Sequence, residues 1–288
     1  MPAEVEEALA AHFDLSGGLE GADGVVSMLT VPVDELFFER AGPQLRVVAN
    51  YAVGVNNVDL AAAEARRVVV ANTPDVLTRA TAELAVGAML ALLRRIVEGD
   101  RFVRRREPWS FSLEFMLGSS LEGKQLLIVG AGRIGRETAR LAEAFGANTT
   151  FAGRDADLHA LLADADVVSL HVPLTDETRH LVDADALEAM RPTAILVNTA
   201  RGPVVDEEAL VHALESGAIG GAALDVYERE PEVHERLLGR ENVVLTPHLG
   251  SATRETRVAM GMLCVEALRA VLLEQRRPAN AVVYRAPS

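Results

Sequence analysis

Cysteine is nearly missing from this chain. Cys264 is the one copy in 288 residues, so an intrachain disulfide and a cysteine-built zinc cluster are both excluded. That scarcity suits a reducing compartment. Lysine is just as rare: Lys124 is the single lysine among 28 basic residues, and Schiff-base chemistry would have to use it. Positive charge is outnumbered by 42 acidic residues, giving a net charge of -14 that repels phosphate backbones and argues against a nucleic-acid partner. Long hydrophobic runs are also lacking. The longest, Leu84 to Leu93, lies between Glu83 and Arg94 and is too short to span a bilayer. Met1 to Ala10 carries three glutamates and no basic residue, unlike a signal or transit peptide. The expectation is a soluble, cytoplasmic protein with no membrane partner. Its 49% apolar and 24% charged residues are a globular composition, with length for one large domain or two.

What is present is alternation. Gly24 to Leu29, Leu45 to Ala49 and Val68 to Ala71 read as strands, with helical stretches at Asp34 to Arg40 and Asp59 to Ala65 between them. A long helix is predicted over Thr81 to Glu98. From Arg101 to Leu117 the texture becomes irregular, arginine-rich and aromatic. Alternation then resumes. Gln125 to Val129 is a continuous apolar run, as in a strand covered on both faces. Further strands are predicted at Thr149 to Ala152, Asp166 to Leu170, Ala194 to Asn198, Gly221 to Leu224 and Asn242 to Leu245. Helices are expected at Ile134 to Phe145, Asp183 to Met190, Asp206 to Ser216 and Thr253 to Glu274.

Gly130-Ala131-Gly132-Arg133-Ile134-Gly135 follows the apolar run directly and opens the next helix. That context points to dinucleotide binding: a tight turn at Gly130, backbone approach to pyrophosphate at Gly132, and helix–strand packing at Gly135. The following strand ends at Gly153, with no acid to read a ribose hydroxyl, and Arg154 comes next. This favours NADP(H), with NAD(H) as the alternative if Asp155 reads the ribose. Four later strands each end in polar residues: His171-Val172-Pro173, Asn198-Thr199-Ala200-Arg201-Gly202, Asp225 to Pro231, and Thr246 to Ser251. Four such ends in succession suggest one converging site.

These motifs, in this order, resemble the D-isomer-specific 2-hydroxyacid dehydrogenases. The stretch Asn72 to Thr78 followed by Ala82-Glu83-Leu84-Ala85 resembles their glyoxylate/hydroxypyruvate reductase branch. The resemblance implies an α/β protein of two doubly wound parallel-sheet domains. One is a Rossmann domain over 79–251. The other is a smaller, flavodoxin-like substrate domain made of 1–78 and 252–288. It also implies reduction of a small 2-oxo acid to its D-2-hydroxy acid in a cleft, without a metal. Arg201 would bind the substrate, His248 would donate the proton, and Glu230 would pair with His248. Val53 and Gly54 would hold the substrate carboxylate, and Asp225 would lie near the nicotinamide. Cofactor contacts are expected from Gly130, Gly132, Arg133, Ile134, Gly135, Arg154, His171, Val172, Pro173, Thr199, Ala200, Asp225 and Gly250. A homodimer through Arg101 to Leu117, with Trp109 reaching toward the partner, is also implied.

The sequence departs from the family pattern in three places, one of them Asn56-Asn57, where many relatives have an Asp-Asn pair. Only Asp155 to Ala165 separate Arg154 from Asp166, room for a single short helix at Leu158 to Ala163, so one strand–helix unit is trimmed. The small-domain sheet is also expected to lack its opening strand. A dinucleotide-sensing, corepressor-like protein with little turnover is therefore the alternative function. His12, His159, His180, His212 and His234 read as solvated, and Cys264 reads as core.

Overall fold

A computed structural model describes residues 1–284. The chain divides into two compact units, Met1–Leu77 with the chain from Ser251 onward, and Thr78–Gly250. Among the described residues, no helix is long and apolar enough to cross a membrane.

The first unit begins with α1 (Ala3–Ala10), β1 (Gly24–Ser27), α2 (Glu35–Ala41), β2 (Val47–Asn50), α3 (Leu60–Ala65) and β3 (Val69–Ala71). The second holds α4 (Thr78–Leu93), α5 (Ile96–Arg104), β4 (Gln125–Val129), α6 (Arg133–Glu143), β5 (Asn148–Ala152), α7 (Leu158–Asp164) and β6 (Val167–Leu170). It continues with α8 (Ala184–Glu188), β7 (Ile195–Asn198), α9 (Glu207–Ser216), β8 (Gly221–Leu224), α10 (Glu235–Leu238) and β9 (Val243–Leu245). Then α11 (Arg254–Leu272) and β10 (Ala281–Val283) return to the first unit.

In the first unit the sheet order is β1-β2-β3-β10. The three leading strands are parallel, and every residue of β2 and β3 is buried, as helices on both faces require. Asp34 and Asp59 start α2 and α3 by accepting the amides of Phe37 and Ala62. The stretch before β1 forms α1, which packs on α11, and β1 is a sheet edge. One element was not foreseen: β10 adds antiparallel to β3 beyond the C-terminal helix.

In the second unit six parallel strands run in the order β5-β4-β6-β7-β8-β9. The order reverses between β4 and β6, the switch point where open α/β sheets bind ligands. β4 shows the two-sided burial clearly. Leu127 and Val129 join the core on one face, and Leu126 and Ile128 join the core on the other. As the short Arg154–Asp166 spacing implied, α7 alone links β5 to β6, and β5 is the edge strand.

The helix predicted over Thr81 to Glu98 is two helices. α4 stops at Leu93, whose carbonyl accepts the Ser119 amide at 2.8 Å. Arg95 turns left-handed at φ +52° and opens α5, its guanidinium on Glu98 at 2.5 Å. The returning chain occupies the end of α4, so the helix cannot continue there.

Candidate active site

β4 stops at Gly130, whose φ of +103° favours glycine. A Cβ there would come within 2.7 Å of the His171 carbonyl oxygen, and a Cβ on Gly135 would overlap the Gly130 carbonyl. Gly132 differs. It is the N-cap of α6, makes no side-chain cap, and a Cβ there would meet nothing within 4 Å. Two glycines thus fold the turn, while the third leaves open the approach to a helix N-terminus, where amides and dipole favour phosphate. Thr199, just beyond β7, has a buried hydroxyl with no hydrogen-bond partner, a group that a ligand could satisfy. These residues fit a dinucleotide.

Beyond β5, Gly153, Arg154 and Asp155 are all exposed. The Glu177 carboxyl is held below its ordinary value by the Thr175 side chain, by its own backbone and by the field of Arg154, so an acid accompanies this arginine. After β6, the His171 amide donates to the Val129 carbonyl at 2.8 Å, and its Nε2 lies 2.9 Å from Ser169 Oγ. Burial pushes the His171 ring down to about 4, so it is neutral at neutral pH and unsuited to carry a proton there. Val172 borders Gly130, and the Pro173 carbonyl accepts the Thr178 hydroxyl at 2.6 Å.

Arg201 sits in the turn after β7. Asn198, buried at the end of that strand, shapes the turn: its amide donates to the Arg201 carbonyl at 2.9 Å, and its oxygen accepts the Ala200 amide at 3.0 Å. Gly202 packs so tightly that a Cβ would overlap the Tyr227 carbonyl. The Arg201 turn is therefore pressed against the loop carrying Glu230. Burial lowers the Arg201 pKa, while Glu230 works the other way. One Glu230 oxygen accepts the Tyr227 amide at 3.1 Å, and the other lies 2.8 Å from His248 Nδ1. Burial raises the Glu230 pKa, but the hydrogen bond and charge of His248, the Tyr227 amide and Arg201 together leave it below the ordinary 4.5. His248 follows β9 at φ +55°, its amide on the Asp225 carbonyl at 2.9 Å. With Nδ1 committed to Glu230, Nε2 is the nitrogen available for proton transfer.

Asp225 is 2% exposed. Its carboxylate accepts the Thr246 hydroxyl at 2.6 Å, the Leu249 amide at 2.7 Å and the Gly250 amide at 2.8 Å. It thereby folds the turn that carries His248, a task the sequence reading did not assign to it. A second brace was also unforeseen. Glu228 and Glu207 accept each other's backbone amides at 3.3 and 3.0 Å, and the His180 ring lies 2.9 Å from Glu228. His180 is therefore paired rather than solvated. So is His234, 2.9 Å from Glu208, and His212 lies 3.6 Å from the same carboxylate. His12 and His159 are exposed, while Cys264 is buried, its thiol pushed up to about 12 by burial.

In the first unit, Val53 and Gly54 lie in the loop that leaves β2. The Val53 carbonyl accepts the Asn72 side chain at 2.8 Å, and the Gly54 carbonyl accepts the Asn50 side chain at 2.9 Å.

The D-isomer specific 2-hydroxyacid dehydrogenase NAD binding domain matches residues 86–250. The chain is 45% identical over 267 residues to a glyoxylate reductase of Pyrococcus furiosus, covering 87% of this chain and 79% of that protein. A solved NADPH-dependent glyoxylate/hydroxypyruvate reductase from Sinorhizobium meliloti, in complex with citrate, is similar at a TM-score of 0.85 and 34% identity, covering 99% of this chain and 97% of that one. A D-isomer specific 2-hydroxyacid dehydrogenase structure from a Polaromonas species gives a TM-score of 0.92 at 31% identity, covering 98% and 97%. This chain belongs to the D-isomer-specific 2-hydroxyacid dehydrogenase family of NAD(P)-dependent oxidoreductases.

Proposed function

We propose that the protein uses NAD(P)H to reduce a small 2-oxo acid of the glyoxylate or hydroxypyruvate kind to the D-2-hydroxy acid. The observation that carries this reading is the 2.8 Å bond between His248 Nδ1 and Glu230, on a loop against which the Arg201 turn is pressed. The relatives named for glyoxylate reduction support the substrate class.

Arg201 offers a permanently charged, planar fork to the substrate's carboxylate and carbonyl oxygens. The Val53–Gly54 loop takes the carboxylate through backbone amides. Glu230 orients the His248 ring through Nδ1, leaving Nε2–H to protonate the carbonyl oxygen as the carbon is reduced. Bound NAD(P)H supplies the hydride. In oxidation, Nε2 accepts the hydroxyl proton instead. Gly130, Gly132, Arg133, Ile134 and Gly135 form the pyrophosphate turn. His171, Val172, Pro173, Thr199, Ala200, Asp225 and Gly250 line the strand ends beside it. Arg154 favours the 2′-phosphate of NADP(H).

Residues 101–117 are assigned to a homodimer contact. Trp109 stacks on Phe115 with ring centroids 6.2 Å apart, while Phe111 and Leu113 are 84% and 83% exposed. A patch of this kind calls for a covering surface. Light scattering should give a dimer at micromolar concentration.

The deciding experiment is turnover of glyoxylate, hydroxypyruvate and pyruvate by the purified protein, with NADPH and NADH side by side. Loss of reduced-cofactor absorbance with NADPH at the higher kcat/KM supports the assignment. Dinucleotide binding without turnover of any of the three would support a sensing role instead.

A further inference from the structure

We propose that Asn50 and Asn72 are positioning residues for the substrate: they fix consecutive peptide planes so that loop amides are presented to the carboxylate of the 2-oxo acid. The inference rests on the assignment of the Val53–Gly54 loop to that carboxylate.

Three successive carbonyls of this loop are taken up by donors from the protein. Ala52 accepts the Thr73 amide at 2.8 Å, Val53 accepts Asn72 Nδ2 at 2.8 Å, and Gly54 accepts Asn50 Nδ2 at 2.9 Å. Among the described residues the one cis peptide is Glu230–Pro231, so these peptides are trans. In a trans peptide the N–H points opposite to the carbonyl of the same plane. Holding those three carbonyls therefore holds the amides of Val53, Gly54 and Val55 on the other side. Among the described residues, none of these three amides donates to a backbone carbonyl. A run of backbone amides outside the backbone ladder, aimed to one side, is an anion-binding arrangement, and backbone donors left without an acceptor are costly.

The two asparagines are themselves braced. Asn50 ends a strand that otherwise reads Val-Val-Ala, and it is 0% exposed. Its oxygen accepts the Ser27 hydroxyl at 2.9 Å and the Asn57 amide at 3.2 Å, while its amide serves Gly54 and Asn57. All four hydrogen-bonding positions are used. An apolar residue would suit that core position better, so the network gains its purpose at the loop. Asn72 is gripped by Asn280, whose carbonyl accepts the Asn72 amide at 3.2 Å and whose side chain donates to the Asn72 carbonyl at 2.5 Å. A carbonyl needs a donor, so aspartate could not replace either asparagine, and it would add a negative charge near the bound carboxylate.

The test compares wild type with Asn72→Ala, Asn72→Asp and Asn50→Ser. It measures KM for glyoxylate, kcat, NADPH affinity by fluorescence titration, and the thermal midpoint. KM for glyoxylate should rise roughly tenfold in Asn72→Ala, the value of about one lost hydrogen bond, and further in Asn72→Asp. Asn50→Ser should raise KM as well. In Asn72→Ala, kcat and NADPH affinity should stay within about twofold of wild type. An unchanged KM in an active enzyme would overturn the inference alone. So would parallel loss of KM, NADPH affinity and thermal midpoint, the mark of a purely structural role. A wild type that turns over no 2-oxo acid would defeat the functional reading, and this inference with it.

Discussion

Glu230 reaches His248 with one carboxylate oxygen and the Tyr227 amide with the other, so the imidazole is held by a group that is itself anchored to backbone. Glu230→Gln keeps the size and most of the reach but removes the charge. Proton transfer from an oriented group contributes about 10²- to 10⁴-fold to rate. The substitution should therefore lower kcat by about 10²-fold while leaving NADPH affinity unchanged. Steady-state kinetics with separate cofactor titration checks this, and a kcat near wild type would remove Glu230 from the mechanism.

Arg201 tests geometry apart from charge. Lysine would keep the positive charge but replace a planar fork with a point donor. Arg201→Lys is expected to raise KM for the 2-oxo acid by about 10- to 100-fold, the loss of one charge-assisted contact. NADPH affinity should hold, because the guanidinium is assigned to the substrate and feels the charge of Glu230. Equal loss of cofactor and substrate binding would place Arg201 in the fold instead.

The two glycines at the start of the dinucleotide turn should separate binding from folding. A Cβ on Gly132 meets nothing within 4 Å, whereas one on Gly130 meets the His171 carbonyl at 2.7 Å with φ already at +103°. Gly132→Ala is expected to fold with a thermal midpoint close to wild type yet bind NADPH at least about tenfold more weakly, since the methyl fills the phosphate's approach. Gly130→Ala should instead lose stability, by about 1–3 kcal/mol for a strained backbone. Urea melts and NADPH titrations of both variants decide it. Unchanged NADPH affinity in Gly132→Ala would sink the phosphate assignment.

Much of this arrangement was readable from local chemistry. Gln125–Val129 and Gly221–Leu224 begin and end where their apolar runs do, because strands covered on both faces need no polar alternation. Asp34, Asp59, Asp183 and Asp206 announced helix starts, and each accepts an amide three residues on. Features set by distant partners were hidden. The α4–α5 break depends on Ser119 meeting Leu93, and β10 depends on β3, more than 200 residues earlier. Strand-end placement is what singled out Arg201, Glu230 and His248 for the proposed site. The fit of Gly202 against Tyr227 and the pairing of His180 with Glu228 left no periodic trace. Asn50 and Asn72 could have been noticed as amides closing otherwise apolar strands, a polar residue placed where packing alone would not put one.

His171 gives the second unit a pH signature of definite sign. Its ring is pushed down to about 4 from an ordinary 6.5 by burial. As pH falls through the ordinary value, the unfolded chain takes up a proton that the folded chain refuses. The contribution is therefore fully present above about 6.5, declines below it, and levels off once the folded ring also protonates near 4. Its full size is on the order of 3 kcal/mol, at 1.36 kcal/mol for each unit of pKa. Other groups titrate in the same range, so the measurement is a difference. Urea denaturation of wild type and His171→Gln at pH 8, 6 and 4.5 should show wild-type stability falling faster on acidification than the variant's. Parallel declines would mean that the ring is protonated as readily in the folded protein as in the unfolded chain, and the neutral histidine beneath the dinucleotide turn would have to be abandoned.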